Sequence, residues 1–148
     1  MQKIPEHIKQ FLDEQKLGYV ATISENNTPN LSPKGTIIAW DDKTLVFADI
    51  HSPNTIKNLE RNPHLEINVV DPLLRRGYRF AGKGYVVKTG EKFEAVLAHY
   101  RKNGIRSPIN SVVKVDVDRV SQVISPLYDL GLSESEIKEK WKKYFASL

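Results

Sequence analysis

Residues 30–39 read NLSPKGTIIA, a strand-like run with a proline and a glycine set into its middle. Pro33 has no N–H to give to a ladder and Gly35 has no side chain to pack, and a central strand avoids both. This segment is therefore predicted either at a sheet edge or with its backbone turned to a ligand. Ser32, Lys34 and Thr36 alternate onto one face and make a polar row with one cation. An exposed strand face would account for the same row.

On either side of this segment the pattern is that of hairpins. Leu17–Ser24 (LGYVATIS) is strand-like, and Glu25–Pro29 (ENNTP) supplies turn residues before residues 30–39. Asp41-Asp42-Lys43 makes a second tight turn into Thr44–Ala48 (TLVFA), so an antiparallel meander is expected. Ile4, Ile8, Phe11 and Leu12 follow helical spacing and predict a short helix over 5–15. A two-turn helix over 53–61 should end at Asn62-Pro63, because a residue before proline is pushed out of the helical region. Leu65, Ile67 and Val69 alternate in a further strand. Tyr78–Lys88 forms another, with Gly82 and Gly84 marking a bend, a bulge or a close backbone approach. Phe93, Val96, Leu97 and Tyr100 give a third helix, and Val113, Val115 and Val117 a sixth strand, with Asp116 and Asp118 on a solvated edge. Ser133–Glu136 (SESE) is a capping box opening a last helix with Ile137, Trp141, Tyr144 and Phe145 on its apolar face. The expected fold is mainly β (α+β), a six-stranded antiparallel barrel with peripheral helices, in one domain over 1–148.

Composition narrows the chemistry. The 148 residues are 40% hydrophobic and 27% charged, ordinary for a globular chain. There is no cysteine, which excludes disulfides, thiolate metal sites and cysteine nucleophiles. No apolar run reaches the roughly 18–20 residues of a membrane span, and the N-terminus lacks a signal peptide's apolar core. A cytoplasmic protein without membrane association is expected. The net charge of +4 is small and dispersed, so it permits an anionic ligand or nucleic acid but requires neither, and no nucleic-acid partner is expected. The four histidines, at 7, 51, 64 and 99, show no metal-ligand spacing, and no metal site is expected.

The most pointed motif is His51-Ser-Pro-Asn-Thr55 (HSPNT), where a strand hands over to a helix. Ser52 suits the N-cap and Pro53 the first helical position. A helix start of this kind presents free N–H groups and partial positive charge to an anion. Ser52, Asn54 and Thr55 add polar side chains, and Lys57 and Arg61 add positive charge nearby. A plain helix cap would need only one of these groups. HSPNT and SPKGT flank one hairpin, so strand pairing could bring Lys34 and Thr36 toward the helix start. Arg79 is opposite in phase to Tyr78 and Phe80; were it turned inward it would need an anionic partner, either a ligand phosphate or Asp49 or Asp71. No self-contained catalytic set is legible.

The run from Pro29 to Gly84 (PNLSPKGTIIAWDDKTLVFADIHSPNTIKNLERNPHLEINVVDPLLRRGYRFAGKG) resembles the pyridoxamine 5′-phosphate oxidase-like FMN-binding family. The similarity extends from about Gly18 through the FEAV of the third helix, with a later SPLYDLG segment. The resemblance implies a split β-barrel, a homodimer with FMN at the subunit interface, and oxidoreductase chemistry on a small-molecule redox substrate. It places Ser32, Pro33, Lys34, Gly35 and Thr36 along the isoalloxazine ring, and Ala48 and Asp49 beside the ribityl chain. Ser52, Asn54 and Thr55 fall at the phosphate, with Lys57 as a supporting cation, and Arg79 borders the flavin. The oxidase proper has an Arg-Lys pair where this chain has Asn54-Thr55, and a C-terminal Arg-x-His segment that this chain lacks. The resemblance therefore points away from a true pyridoxamine phosphate oxidase. Related barrels take deazaflavin F420, or act as flavin or heme carriers.

Overall fold

The computed structural model describes residues 3–148; Met1 and Gln2, part of the expected domain, lie outside the described residues. The strands are β1 (Gly18–Ile23), β2 (Pro29–Lys34), β3 (Ile38–Ala39), β4 (Thr44–Asp49), β5 (His64–Asp71), β6 (Arg76–Val87) and β7 (Ser111–Ile124). The helices are α1 (Glu6–Gln15), α2 (Pro53–Arg61), α3 (Glu91–Lys102) and α4 (Glu134–Ala146), with a 3-10 turn over Pro126–Leu130 before α4. One antiparallel sheet carries the strands in the order β2–β1–β5–β6–β7–β4–β3.

That order fixes the curvature. β2 and β3 are the two edges, yet only residues 35–37 separate them in the chain. Six inter-strand steps would put flat edges about 29 Å apart. Four residue-to-residue steps, from Lys34 to Ile38, reach no more than about 14 Å. The sheet must curl until its edges meet, which makes a split barrel.

The predicted strand over 30–39 is thus two strands, and the expected six become seven. β2 pairs with β1, and β3 pairs with β4. At the break, side chains take over from the ladder. Ala48 N–H donates to Thr36 Oγ1 at 2.9 Å, and Tyr100 Oη donates to Thr36 O at 2.7 Å. The expectation of an edge position for Pro33 is met, since β2 is an edge and Pro33 is exposed.

β4 is buried along its whole length because it is covered on both sides. Leu45 and Phe47 point into the barrel with Val20, Ile67, Phe80 and Val115, while Val46 and Ala48 meet Val96 and Tyr100 of α3. The bulge predicted from the glycines falls between Ala81 and Gly82. A Cβ at Gly82 would lie 2.1 Å from Asp116 O, closer than any side chain tolerates. β7 runs well past the predicted 113–117 and pairs on both sides, so Asp116 is not on a strand edge; it is partly buried, with Lys114 Nζ at 3.0 Å. α2 ends at Asn62 as expected and lays Ile56 and Leu59 on the core. Ser133 caps α4, its Oγ accepting from Glu136 N–H at 3.2 Å. Only Ile137 of the predicted apolar face is fully buried; Tyr144 and Phe145 are exposed.

Thr36 carries the closure, so Thr36→Val keeps the shape and removes the acceptor for a buried N–H. The expected loss is about 1–3 kcal/mol in urea unfolding. An unchanged midpoint would show that the hydrogen bond to Ala48 is not what holds the edges together.

Candidate functional site

Curling the sheet brings the end of β2 against the start of α2. Lys34 is the last residue of β2 and is only 7% exposed. Its Nζ donates to Ser32 Oγ and to Ser52 Oγ, each at 2.6 Å. Among the described residues no carboxylate pairs with it directly. Burial pushes its pKa below the ordinary value of 10.5, opposed in part by the nearby Asp49 carboxylate.

Asp49 closes β4 and is buried as well. Its Oδ1 accepts from Ser52 N–H at 3.0 Å and its Oδ2 from Ser111 Oγ at 3.2 Å. Asn110 N–H donates to its carbonyl at 2.9 Å. The loop from Asp49 to Ser52 is thus held by one carboxylate that links β4, β7 and the helix start.

Ser52 stands at the N-cap position of α2, but its side chain makes no cap hydrogen bond. The expected cap is corrected here, because Lys34 holds the hydroxyl. The first intrahelical bond runs from Ile56 N–H to Ser52 O at 3.2 Å. The N–H groups of Asn54 and Thr55 precede that bond and belong to the turn that a helix leaves unpaired. An uncapped start, a buried ammonium beside it and Pro53 at its first position are features that suit a phosphate. The Asp49 carboxylate works against a second anion there, so the site is electrically close to neutral.

The predicted residues do not all converge. Ser32, Lys34, Asp49 and Ser52 form the hydrogen-bonded cluster, with Thr36 and Ala48 joined beside it. Thr55 is buried in the first turn of α2. Pro33 and Gly35 are exposed. Asn54 and Lys57 line a polar groove of about 650 Å³ with Asn30 and Arg61. Arg79 does not face inward. Tyr78 and Phe80 point to the core, which sends Arg79 outward, where Glu66 Oε2 lies 4.0 Å from its Nε. Neither Asp49 nor Asp71 is its partner; Asp71 instead accepts the N–H groups of Leu73 and Leu74.

Two residues escaped the sequence reading. Ser111 precedes the valine run that marked the last strand, and its polarity left it outside. Tyr100 reads as one more apolar contact of the α3 stripe, although its hydroxyl anchors Thr36 and burial pushes its pKa well up.

A family model described as pyridoxamine 5′-phosphate oxidase matches residues 4–124. Among solved structures, HupZ of Group A Streptococcus superposes with a TM-score of 0.74 at 30% identity, covering 82% of this chain and 95% of that one. An FMN-binding protein from Syntrophomonas wolfei subsp. wolfei gives 0.68 at 16% identity, over 81% of this chain and 86% of that one. An F420 reductase gives 0.60 at 22% identity, over 80% and 98%. The last two likenesses bear on the fold alone. No curated protein matches the sequence.

The lowered pKa of Lys34 has a consequence with a definite sign. Between its folded value and 10.5 the unfolded chain keeps the proton that the folded chain has lost. Its contribution to stability therefore grows as pH rises toward 10.5. Lys34→Met lacks this dependence. In urea unfolding, the stability difference between wild type and variant is expected to move in favour of the wild type as pH is raised toward 10.5. A difference that stays constant over that range would contradict a buried, destabilised ammonium.

Proposed function

The chain belongs to the pyridoxamine 5′-phosphate oxidase family, and on that footing we propose that it binds FMN with the phosphate at the start of α2. The observation that carries this is the Lys34 ammonium, buried and held at 2.6 Å from Ser52, beside a helix start with no side-chain cap. The N–H groups of Asn54 and Thr55 and the Ser52 hydroxyl would hold phosphate oxygens, and Lys34 would supply the opposing charge. Ala48 and Asp49 would border the ribityl chain, and Ser32–Thr36 the ring. The flavin, when bound, supplies hydride or single-electron transfer. The chain's own part is to hold the phosphate, exclude water around Lys34 and place polar groups along the ring. We assign it as a flavin-dependent oxidoreductase of the cytoplasm, acting on a substrate other than pyridoxamine phosphate.

The same reading includes a homodimer. Leu17 (51% exposed), Tyr19 (45%) and Leu31 (67%) lie on the outer side of β1 and β2 and their approach, an apolar surface beside the proposed ring site. A second copy laid on it would wall the flavin from the far side, with Arg79 on the same sheet face. The F420 reading draws on the polar groove that begins at Asn54 and Lys57, which gives room for an acidic tail beyond the phosphate.

Added FMN should lose fluorescence saturably on titration with the protein, and F420 should bind more weakly in a parallel titration. Protein that leaves FMN fluorescence unchanged removes the proposal, and a preference for F420 replaces the cofactor. Ser52→Ala should weaken FMN several-fold while costing only about 1 kcal/mol of stability, one hydrogen bond to Lys34. Equal FMN affinity in the variant would make Ser52 purely structural. Leu31→Glu should turn a dimer into a monomer in sedimentation; an unchanged mass would place any interface elsewhere.

A further inference from the structure

Arg75 lies away from the α2 start, in the turn between β5 and β6, and its backbone is fixed on all sides. Arg75 N–H donates to Asp71 O at 2.8 Å, and Ser125 N–H donates to Arg75 O at 2.9 Å. Tyr128 Oη donates to Leu74 O at 2.7 Å. The residue adopts φ +56°, a left-handed conformation uncommon for arginine, which the surrounding hydrogen bonds hold in place. Its guanidinium carbon sits 3.6 Å above the centre of the Trp141 ring of α4. The neighbouring Arg76 ion-pairs with Glu134 at the start of the same helix.

The Arg75 side chain has no hydrogen-bond or ion-pair partner among the described residues, and its Nε is buried. Trp141 Nε1 beside it is likewise buried without an acceptor. The nearby acids are engaged elsewhere, Asp71 with the turn N–H groups and Glu134 with Arg76. Stacking on an indole offsets part of the cost of burying Nε, but it supplies no acceptor for the Nε–H group. Folded chains rarely leave such donors unanswered. Arg75 also lines a cavity of about 320 Å³ whose other walls are mainly Leu17, Tyr19, Asn68, Val70 and Pro72.

We infer that this cavity binds a small monocarboxylic acid with an apolar body, its carboxylate paired with Arg75. One fork-shaped cation matches one planar carboxylate, and among the described residues no second cation lines the cavity to receive a doubly charged phosphate. The apolar walls receive the body of the acid, and the volume lies at the small end of ligand pockets. Trp141 does not line the cavity but holds the Arg75 guanidinium by stacking, and it lies beyond the family match at residues 4–124. It does not rest on the flavin reading. The rival source of a carboxylate is an acidic side chain of a second copy, because Leu17 and Tyr19 also belong to the proposed dimer surface.

The test uses Trp40→Phe protein, which leaves Trp141 as its one tryptophan. Titration with benzoate should change Trp141 fluorescence saturably, and benzamide, the same shape without the charge, should not. Adding Arg75→Gln should weaken benzoate by about tenfold or more. No saturable response to benzoate, an equal response to benzamide, or full benzoate affinity in the Arg75→Gln protein each overturns the site. If Arg75→Gln lowers the dimer fraction and benzoate gives no response, the carboxylate comes from the second copy and the small-molecule site is overturned.

Discussion

The three residues between Lys34 and Ile38 are the constraint on which the rest of the molecule depends. They join the two edge strands of a seven-stranded sheet, and their reach is about half of what a flat sheet would need. Curvature is therefore imposed by connectivity, and the barrel interior is filled by the residues that the curl turns inward. The same closure sets the end of β2 beside the end of β4. Thr36 ties the junction in both directions, accepting from Ala48 on one side and from Tyr100 on the other. The barrel seam and the candidate site are consequently one place.

The seam is also where the molecule tolerates charge in its interior. Lys34 and Asp49 are both buried, and they do not form a direct ion pair; each is satisfied by hydroxyl or backbone groups. An arrangement of this kind is costly for the apo fold and leaves an ammonium beside unpaired helix N–H groups. On the proposed reading a phosphate set there would offset part of this cost. The buried Asp49 carboxylate would limit that gain.

Much of this was legible in the residues. Pro33 marked either an edge strand or a backbone turned to a ligand, and β2 is an edge. Ser52-Pro53 marked the helix start, and Asn62-Pro63 its end. The glycines of β6 marked the bulge, where Gly82 passes too close to Asp116 O for any side chain. What failed did so for identifiable reasons. Alternation gives the phase of Arg79 relative to Tyr78 and Phe80, but it does not say which phase is interior. The break at Gly35 was invisible because both halves are strand-like and only the partners differ. The far half of β7 carries Asp118, Arg119, Ser121 and Gln122, so its outer surface hides the strand period. Ser52 looked like a cap because nothing local reveals that a lysine eighteen residues upstream takes its hydroxyl.

The central claim is that the junction of Lys34 with the start of α2 receives a phosphate. Backbone amide resonances of Asn54 and Thr55, followed by two-dimensional NMR during titration with FMN and with riboflavin, address it most directly. FMN is expected to shift both amides strongly, and riboflavin, which has the ring without the phosphate, to leave them nearly in place. Amides that stay put while FMN binds, or that move equally with riboflavin, would contradict it.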